Sequence, residues 1–188
     1  MEPVPRPTPA ALPRESDRAQ RDARVRAMVE GHFDPVWRAL KRLGVPEGSV
    51  DDAAQQVFLI ASRRLDEIEP RGERPYLLGI ALRVAADARR ALLRRREVPM
   101  GDAFEMAAEP GPRLEDLLDE KQALGLLSAH LARLPDEMRE AFVLFELEEL
   151  SAPEVADLLG VPVGTVASRV RRARDSIREH LGRKRGPS

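Results

Sequence analysis

Between Ser151 and Arg174 the chain reads SAPEVADLLGVPVGTVASRVRRAR, and this stretch leaves little freedom of fold. Ser151 followed three residues later by Glu154 is a capping box, and Pro153 falls in a first turn, where a missing N–H costs nothing, so a helix begins there. Gly160 predicts its end. Beyond the turn, Val163, Val166, Val170, Ala173 and Ile177 recur at helical spacing and form one apolar stripe. Thr165, Ser168, Arg171 and Arg172 then share the opposite face. Two short helices about a Gly-containing turn, the second rich in arginine and free of acids from Val163 to Arg174, read as a helix-turn-helix whose outer face meets DNA. A plain amphipathic hairpin with solvated arginines is the blander reading; the turn length and the one-sided charge argue against it.

The formal net charge of the 188 residues is only -1, although 34% of them are charged, so distribution matters more than balance. Arg83, Arg89, Arg90, Arg94, Arg95 and Arg96 face a single acid, Asp87, in one segment. From Glu97 to Glu120 the sign reverses, with Arg113 the one base among many acids, and Arg169 to Arg185 is basic again. Two basic surfaces separated by an acidic connector suit two contacts with one polyanion.

Cysteine is absent, which excludes disulfides and thiol ligands. His32, His130 and His180 show no paired ligand spacing and are read as surface or boundary residues, so neither a metal nor any cofactor is expected. No apolar run approaches the roughly 18 residues of a membrane span. With no basic-then-apolar leader pattern either, a cytoplasmic protein without membrane insertion is expected.

The organisation is all-α, since strand-period alternation is missing. Residues 1–15, with five prolines at Pro3, Pro5, Pro7, Pro9 and Pro13, are expected to form a flexible tail. Residues 16–97 make a first helical domain. Within it, Ser16 caps one helix to about Glu30, Asp34-Pro35 starts another that Gly44 stops, Val50 to Leu65 forms a third with Ala53, Ala54, Val57 and Phe58 inward, and a long helix runs from Pro75 to Arg96. A flexible acidic linker covers 98–115. A second domain, 116–183, adds helices over Leu117 to Leu134 and Pro135 to Leu150 to the helix-turn-helix, with Leu117, Leu124, Leu127, Leu131, Phe142, Val143 and Phe145 as its expected core.

This order of parts resembles the extracytoplasmic-function (ECF) group of the sigma-70 family of bacterial RNA polymerase, the minimal type with only regions 2 and 4. Leu134 to Leu144 (LPDEMREAFVL) together with Glu154 to Arg174 is similar to region 4 almost position by position. Asp52 to Phe58 (DAAQQVF) is similar to the part of region 2 that docks on the clamp coiled coil of the largest polymerase subunit. Tyr76 to Arg90 (YLLGIALRVAADARR) is similar to the part that melts and captures the minus-10 element.

The resemblance implies an alternative sigma factor that brings core polymerase to specific promoters and performs no catalysis. Its implied partners are core polymerase, through the clamp and the flap region, promoter DNA, and an anti-sigma factor. Core polymerase would meet Asp51, Asp52, Gln55, Gln56 and Phe58. Minus-10 DNA would meet Arg83, Asp87, Arg89, Arg90 and Arg94. Minus-35 DNA would meet Thr165, Ser168, Arg169, Arg171, Arg172 and Arg174, with Arg171 and Arg172 suited to guanine edges or phosphates and Arg169 and Arg174 to phosphates. The chain departs from the family pattern at Gln56, where an acid is usual, at Tyr76, where Trp is common, at Leu82-Arg83, in place of an Arg-Asn pair, and at Ala167, in place of Lys or Arg. Tyr76 is read as a core residue before a base contact. Two other readings compete. A stand-alone helix-turn-helix regulator would bind duplex DNA without polymerase, but needs a receiver or ligand domain of which no pattern is visible. A small helical enzyme would use paired carboxylates, Asp51 with Asp52 or Glu148 with Glu149, but adjacent acids on a helix diverge and no nucleophile joins them.

Overall fold

The computed structural model describes residues 15–69, 72–97, 125 and 127–183, apart from the side chains at 95–97 and 180–183. The proline-rich segment 1–14, the acidic linker 98–115 and the expected core positions Leu117 and Leu124 lie outside the described residues. Those described form seven α-helices and no strand: α1 (Glu15–Arg42), α2 (Val50–Arg63), α3 (Glu73–Glu97), α4 (127–133), α5 (Asp136–Phe142), α6 (Ala152–Leu159) and α7 (Val163–Arg183).

Helices α1, α2 and α3 pack on one another as the N-terminal unit. Ala39, Ala54, Ala61, Ala81 and Ala85 are fully buried between them, small side chains that let the backbones approach while Leu40, Val57, Leu77 and Leu78 fill the remaining space. The expected break at Asp34-Pro35 does not occur: α1 runs through Pro35 as one helix. Proline there removes the bond to the carbonyl four residues back. That residue is Gly31, which is exposed, so water can take the carbonyl, and burial of Met28 on one side and Val36, Ala39 and Leu40 on the other holds both halves in line. Gly44, with φ +90, ends α1 in a Schellman motif: the Val45 N–H donates to Leu40 O at 3.1 Å and the Gly44 N–H to Lys41 O at 3.1 Å.

The C-terminal unit is built on α7, against which α5 and α6 pack. The expected single helix from Pro135 to Leu150 stops short. After Phe142 the chain widens into one π turn, Val143–Leu147, in which Val143 and Leu144 are buried, and the Glu148 N–H donates to Val143 O at 2.9 Å. Glu149 follows at φ 53 and points to solvent, while the Glu148 carboxylate is buried and accepts from Arg42 Nη1 at 2.9 Å and Arg74 Nη2 at 3.3 Å. The two neighbouring acids therefore serve different surroundings and form no catalytic pair. Val166, Val170 and Ala173 are buried as the stripe predicts, with Ile177 half-buried, but Val163, the first residue of α7, is 46% exposed.

The capping box at α6 forms: the Ser151 hydroxyl and backbone N–H donate to Glu154 Oε2 at 2.6 and 2.8 Å, and the Glu154 N–H donates back to Ser151 Oγ. These bonds hold the Glu154 carboxyl below its ordinary value of 4.5. A depressed pKa contributes stability above 4.5 that is lost as pH falls through the folded value. Ser151→Ala is expected to cost about 1 kcal/mol near neutral pH. Denaturant titrations should show the wild-type advantage over this variant shrinking below 4.5, where the carboxyl protonates.

Candidate nucleic-acid interface

Helix α7 is held at its inner stripe and presents the opposite face outward. Arg171 and Arg172 are exposed and make no ion pair among the described residues. Thr165 and Ser168 are half-buried beside them, and the Ser168 hydroxyl donates to Thr165 O at 2.9 Å, so its lone pairs are what it presents to a base edge. Ala167 is exposed on the same side. Arg169 and Arg174 differ. Arg169 Nη2 pairs with Glu137 at 2.5 Å and is 19% exposed; Arg174 pairs with Glu146. These two arginines tie α7 to α5 and to the π turn, so the unengaged charge of the face is concentrated at Arg171 and Arg172.

On α3, Arg83, Asp87, Arg90 and Arg94 are exposed, with Arg90 and Asp87 paired at 2.5 Å. Arg89 is a correction to the expected DNA face. It is only 12% exposed, donating to Leu43 O at 2.6 Å, to Glu140 Oε1 at 2.7 Å and to Asp136 Oδ2 at 3.1 Å. Tyr76 is half-buried against the core and lines a crevice with Ile60, Arg64 and Arg83, so it is neither fully interior nor displayed.

The outward face of α2 carries Asp51, Asp52, Gln55 and Gln56. Asp51 Oδ1 accepts from Trp37 Nε1 at 2.8 Å, which fixes the start of the helix against α1. Phe58, expected as a contact, is 7% exposed and stacked on Phe33 with ring centroids 6.2 Å apart. Its neighbour Leu59 is 53% exposed instead, on the side shared with Gln55 and Gln56. Leu59 was legible only from the wheel, as the apolar residue three and four places beyond those glutamines. His130, expected near the surface, is buried, His32 lies 3.5 Å from Glu73, and no cluster able to hold a metal ion occurs among the described residues. Nor is any described helix long and apolar enough to cross a membrane.

The structure thus has two basic helical faces on separate units, one of them the second helix of a helix-turn-helix. The family model described as Sigma-70, region 4 matches residues 124–177. The chain is 34% identical over 156 residues to the probable RNA polymerase sigma-C factor of Mycobacterium bovis, covering 80% of each chain. The chain belongs to the ECF RNA polymerase sigma factors. It is 30% identical over 156 residues to the ECF RNA polymerase sigma factor SigE of Mycolicibacterium smegmatis, covering 83% of this chain and 61% of that one. A solved structure of CnrH in complex with the cytosolic domain of CnrY is similar at 27% identity and a TM-score of 0.64, covering 87% of this chain and 94% of that chain. The segment of this sigma factor matched as region 4 contains α6 and α7 as far as Ile177, and so the whole helix-turn-helix from Ser151 to Arg174.

Proposed function

We propose that the chain directs core RNA polymerase to its promoters as an alternative sigma factor, by three surfaces with distinct chemistry. Thr165, Ser168, Arg171 and Arg172 on α7 read the minus-35 duplex, with Arg169 and Arg174 bracing the helix rather than leading the contact. Arg83, Arg90 and Arg94 on α3 follow the backbone at minus-10, and Asp87 sets the position of Arg90. Asp51, Asp52, Gln55, Gln56 and the exposed Leu59 on α2 dock core polymerase. The assignment divides the chain into a tail over 1–15, a polymerase and minus-10 unit over 16–97, an acidic linker over 98–115 and a minus-35 unit over 116–183.

The observation that carries the reading is the pair of exposed guanidiniums at Arg171 and Arg172, left without internal partners while their neighbours Arg169 and Arg174 are engaged. A planar fork with free donors is suited to guanine O6 and N7. The chain contributes recognition and no catalytic step, and it acts in the cytoplasm, where polymerase and DNA are found. An anti-sigma factor is the further partner implied by the family; CnrH, solved with the cytosolic domain of CnrY, is a relative bound by another chain.

Purified protein mixed with core polymerase is expected to yield open complexes at a distinct promoter set, located by sequencing transcript starts after overproduction. Specific duplex binding without any capture of core polymerase would overturn the assignment.

A further inference from the structure

A cavity of 540 Å³ is walled by Trp37, Arg38 and Lys41 of α1, by Glu47 in the turn that follows, and by Ser128 of α4. Its walls are more apolar than polar, because the indole and the methylene stems of the long basic side chains line it. Its volume falls within the range of about 300–1,000 Å³ usual for sites of small organic ligands, and such sites favour the seam between two units. Three cations border it, and they are not equally free. Arg42 Nη1 is held by Glu148 at 2.9 Å. Lys41 Nζ pairs with Glu47 at 2.6 Å and stands over the Trp37 ring, 5.5 Å from its centroid. Arg38 is exposed and has no partner among the described residues. Trp37 itself is half-buried, and its Nε1 donates to Asp51 Oδ1 at 2.8 Å, so the indole is fixed from α2.

A fixed indole beside a free guanidinium and an ammonium answers to a ligand that is flat and aromatic at one end and anionic at the other. An aliphatic acid would leave the indole bare, and a purely apolar ligand would leave Arg38 unused. The anion has an internal stand-in at Lys41, the carboxylate of Glu47, and an exposed pair of this kind is weak enough to exchange. Phosphate oxygens offer the Arg38 fork two parallel acceptors and Lys41 a third. A nucleobase supplies the flat surface that stacks on an indole.

We propose that the cavity between α1 and α4 binds a nucleoside diphosphate, its base stacked on Trp37 and its phosphates on Arg38 and Lys41, where they displace Glu47. The same indole holds Asp51 at the start of α2, so a nucleotide that repositions the ring releases Asp51 on the docking face and weakens capture of polymerase. That coupling rests on the sigma-factor reading; the nucleotide site does not.

Trp37 is the one tryptophan of the chain, so its fluorescence reports on this cavity alone. Excited at the red edge of its absorption, where the bases do not absorb, full-length protein is expected to lose emission as ADP or GDP is added. Inorganic pyrophosphate and the free nucleosides each offer half of the contact and should bind about tenfold more weakly or worse. Arg38→Ala is expected to raise the half-quenching concentration about tenfold, and Ser128→Gln, which narrows the cavity from α4, to raise it as well. Glu47→Gln removes the competing carboxylate and should lower it severalfold, an opposite sign that misfolding does not produce. All three positions are exposed, and far-UV circular dichroism reports whether each variant keeps its helices. No quenching by either nucleotide, or quenching that Arg38→Ala and Ser128→Gln leave unchanged, overturns the site. Pyrophosphate acting as well as the nucleotides overturns it too, since the indole would then take no part. In a core polymerase pull-down, nucleotide is expected to reduce capture of wild type and to spare Arg38→Ala at the same concentration. Unchanged capture of nucleotide-bound protein overturns the coupling through Trp37 and leaves the site standing. A chain that captures no core polymerase under any condition overturns the sigma reading, while the quenching result is read without it.

Discussion

Arg171→Ala and Arg172→Ala are each expected to weaken binding to the preferred minus-35 duplex by about 1–3 kcal/mol, roughly fivefold to 150-fold in Kd. The loss should be largest on the preferred sequence and smaller on duplexes already changed at the contacted base pair, because a bidentate pair to a base edge discriminates whereas a phosphate contact does not. Arg169→Ala and Arg174→Ala test the contrast. Their guanidiniums are engaged by Glu137 and Glu146, partly exposed pairs of the sort that contribute about 0–1 kcal/mol to stability, so these variants should lower affinity for all sequences alike and slightly loosen α7. Fluorescence anisotropy on a set of duplexes with single base-pair changes separates the two patterns. A uniform loss from Arg171→Ala would mean that the outer face of α7 grips only phosphate.

That contrast marks where sequence reading reaches and where it stops. The capping box at Ser151 and Glu154, the left-handed turn at Gly160 and the stripe of Val166, Val170 and Ala173 are local signals, resolved within four residues, and the structure carries all of them. Partner choice is not local. Glu137 is 32 residues from Arg169, Glu146 is 28 from Arg174, and Glu140 is 51 from Arg89, so nothing in the basic runs distinguishes an arginine bound inside the protein from one offered to DNA. Phe58 is a different case. The apolar stripe already places it inward with Ala54 and Val57, where it is buried and stacked on Phe33, and only the resemblance made it a polymerase contact; Leu59, about 100° further round the helix, is the side chain left outside. Pro35 misleads for a related reason: its local preference to begin a helix is overridden by core residues on both sides of it.

Leu144→Ala is expected to destabilise the protein by about 2–5 kcal/mol, while Leu59→Ala should fall within about 0.5 kcal/mol of wild type. Leu144 is wholly buried in the π turn, and its carbonyl accepts from the Leu150 N–H at 3.1 Å. Truncation there removes apolar contact and leaves a cavity at the junction from which α6 is launched, against a total stability that for a domain is only about 5–15 kcal/mol. Minus-35 binding should therefore fail before polymerase docking does, since the affected helices are those that support α7. Leu59 is 53% exposed and has little packing to lose, but it is the large apolar group on a face otherwise made of Asp52, Gln55 and Gln56. Its truncation should spare the unfolding curve and weaken capture of core polymerase. Denaturant titrations followed by circular dichroism, paired with a core pull-down, distinguish the two leucines: loss of stability with Leu59→Ala would place it in the core, and unchanged capture would remove it from the docking face.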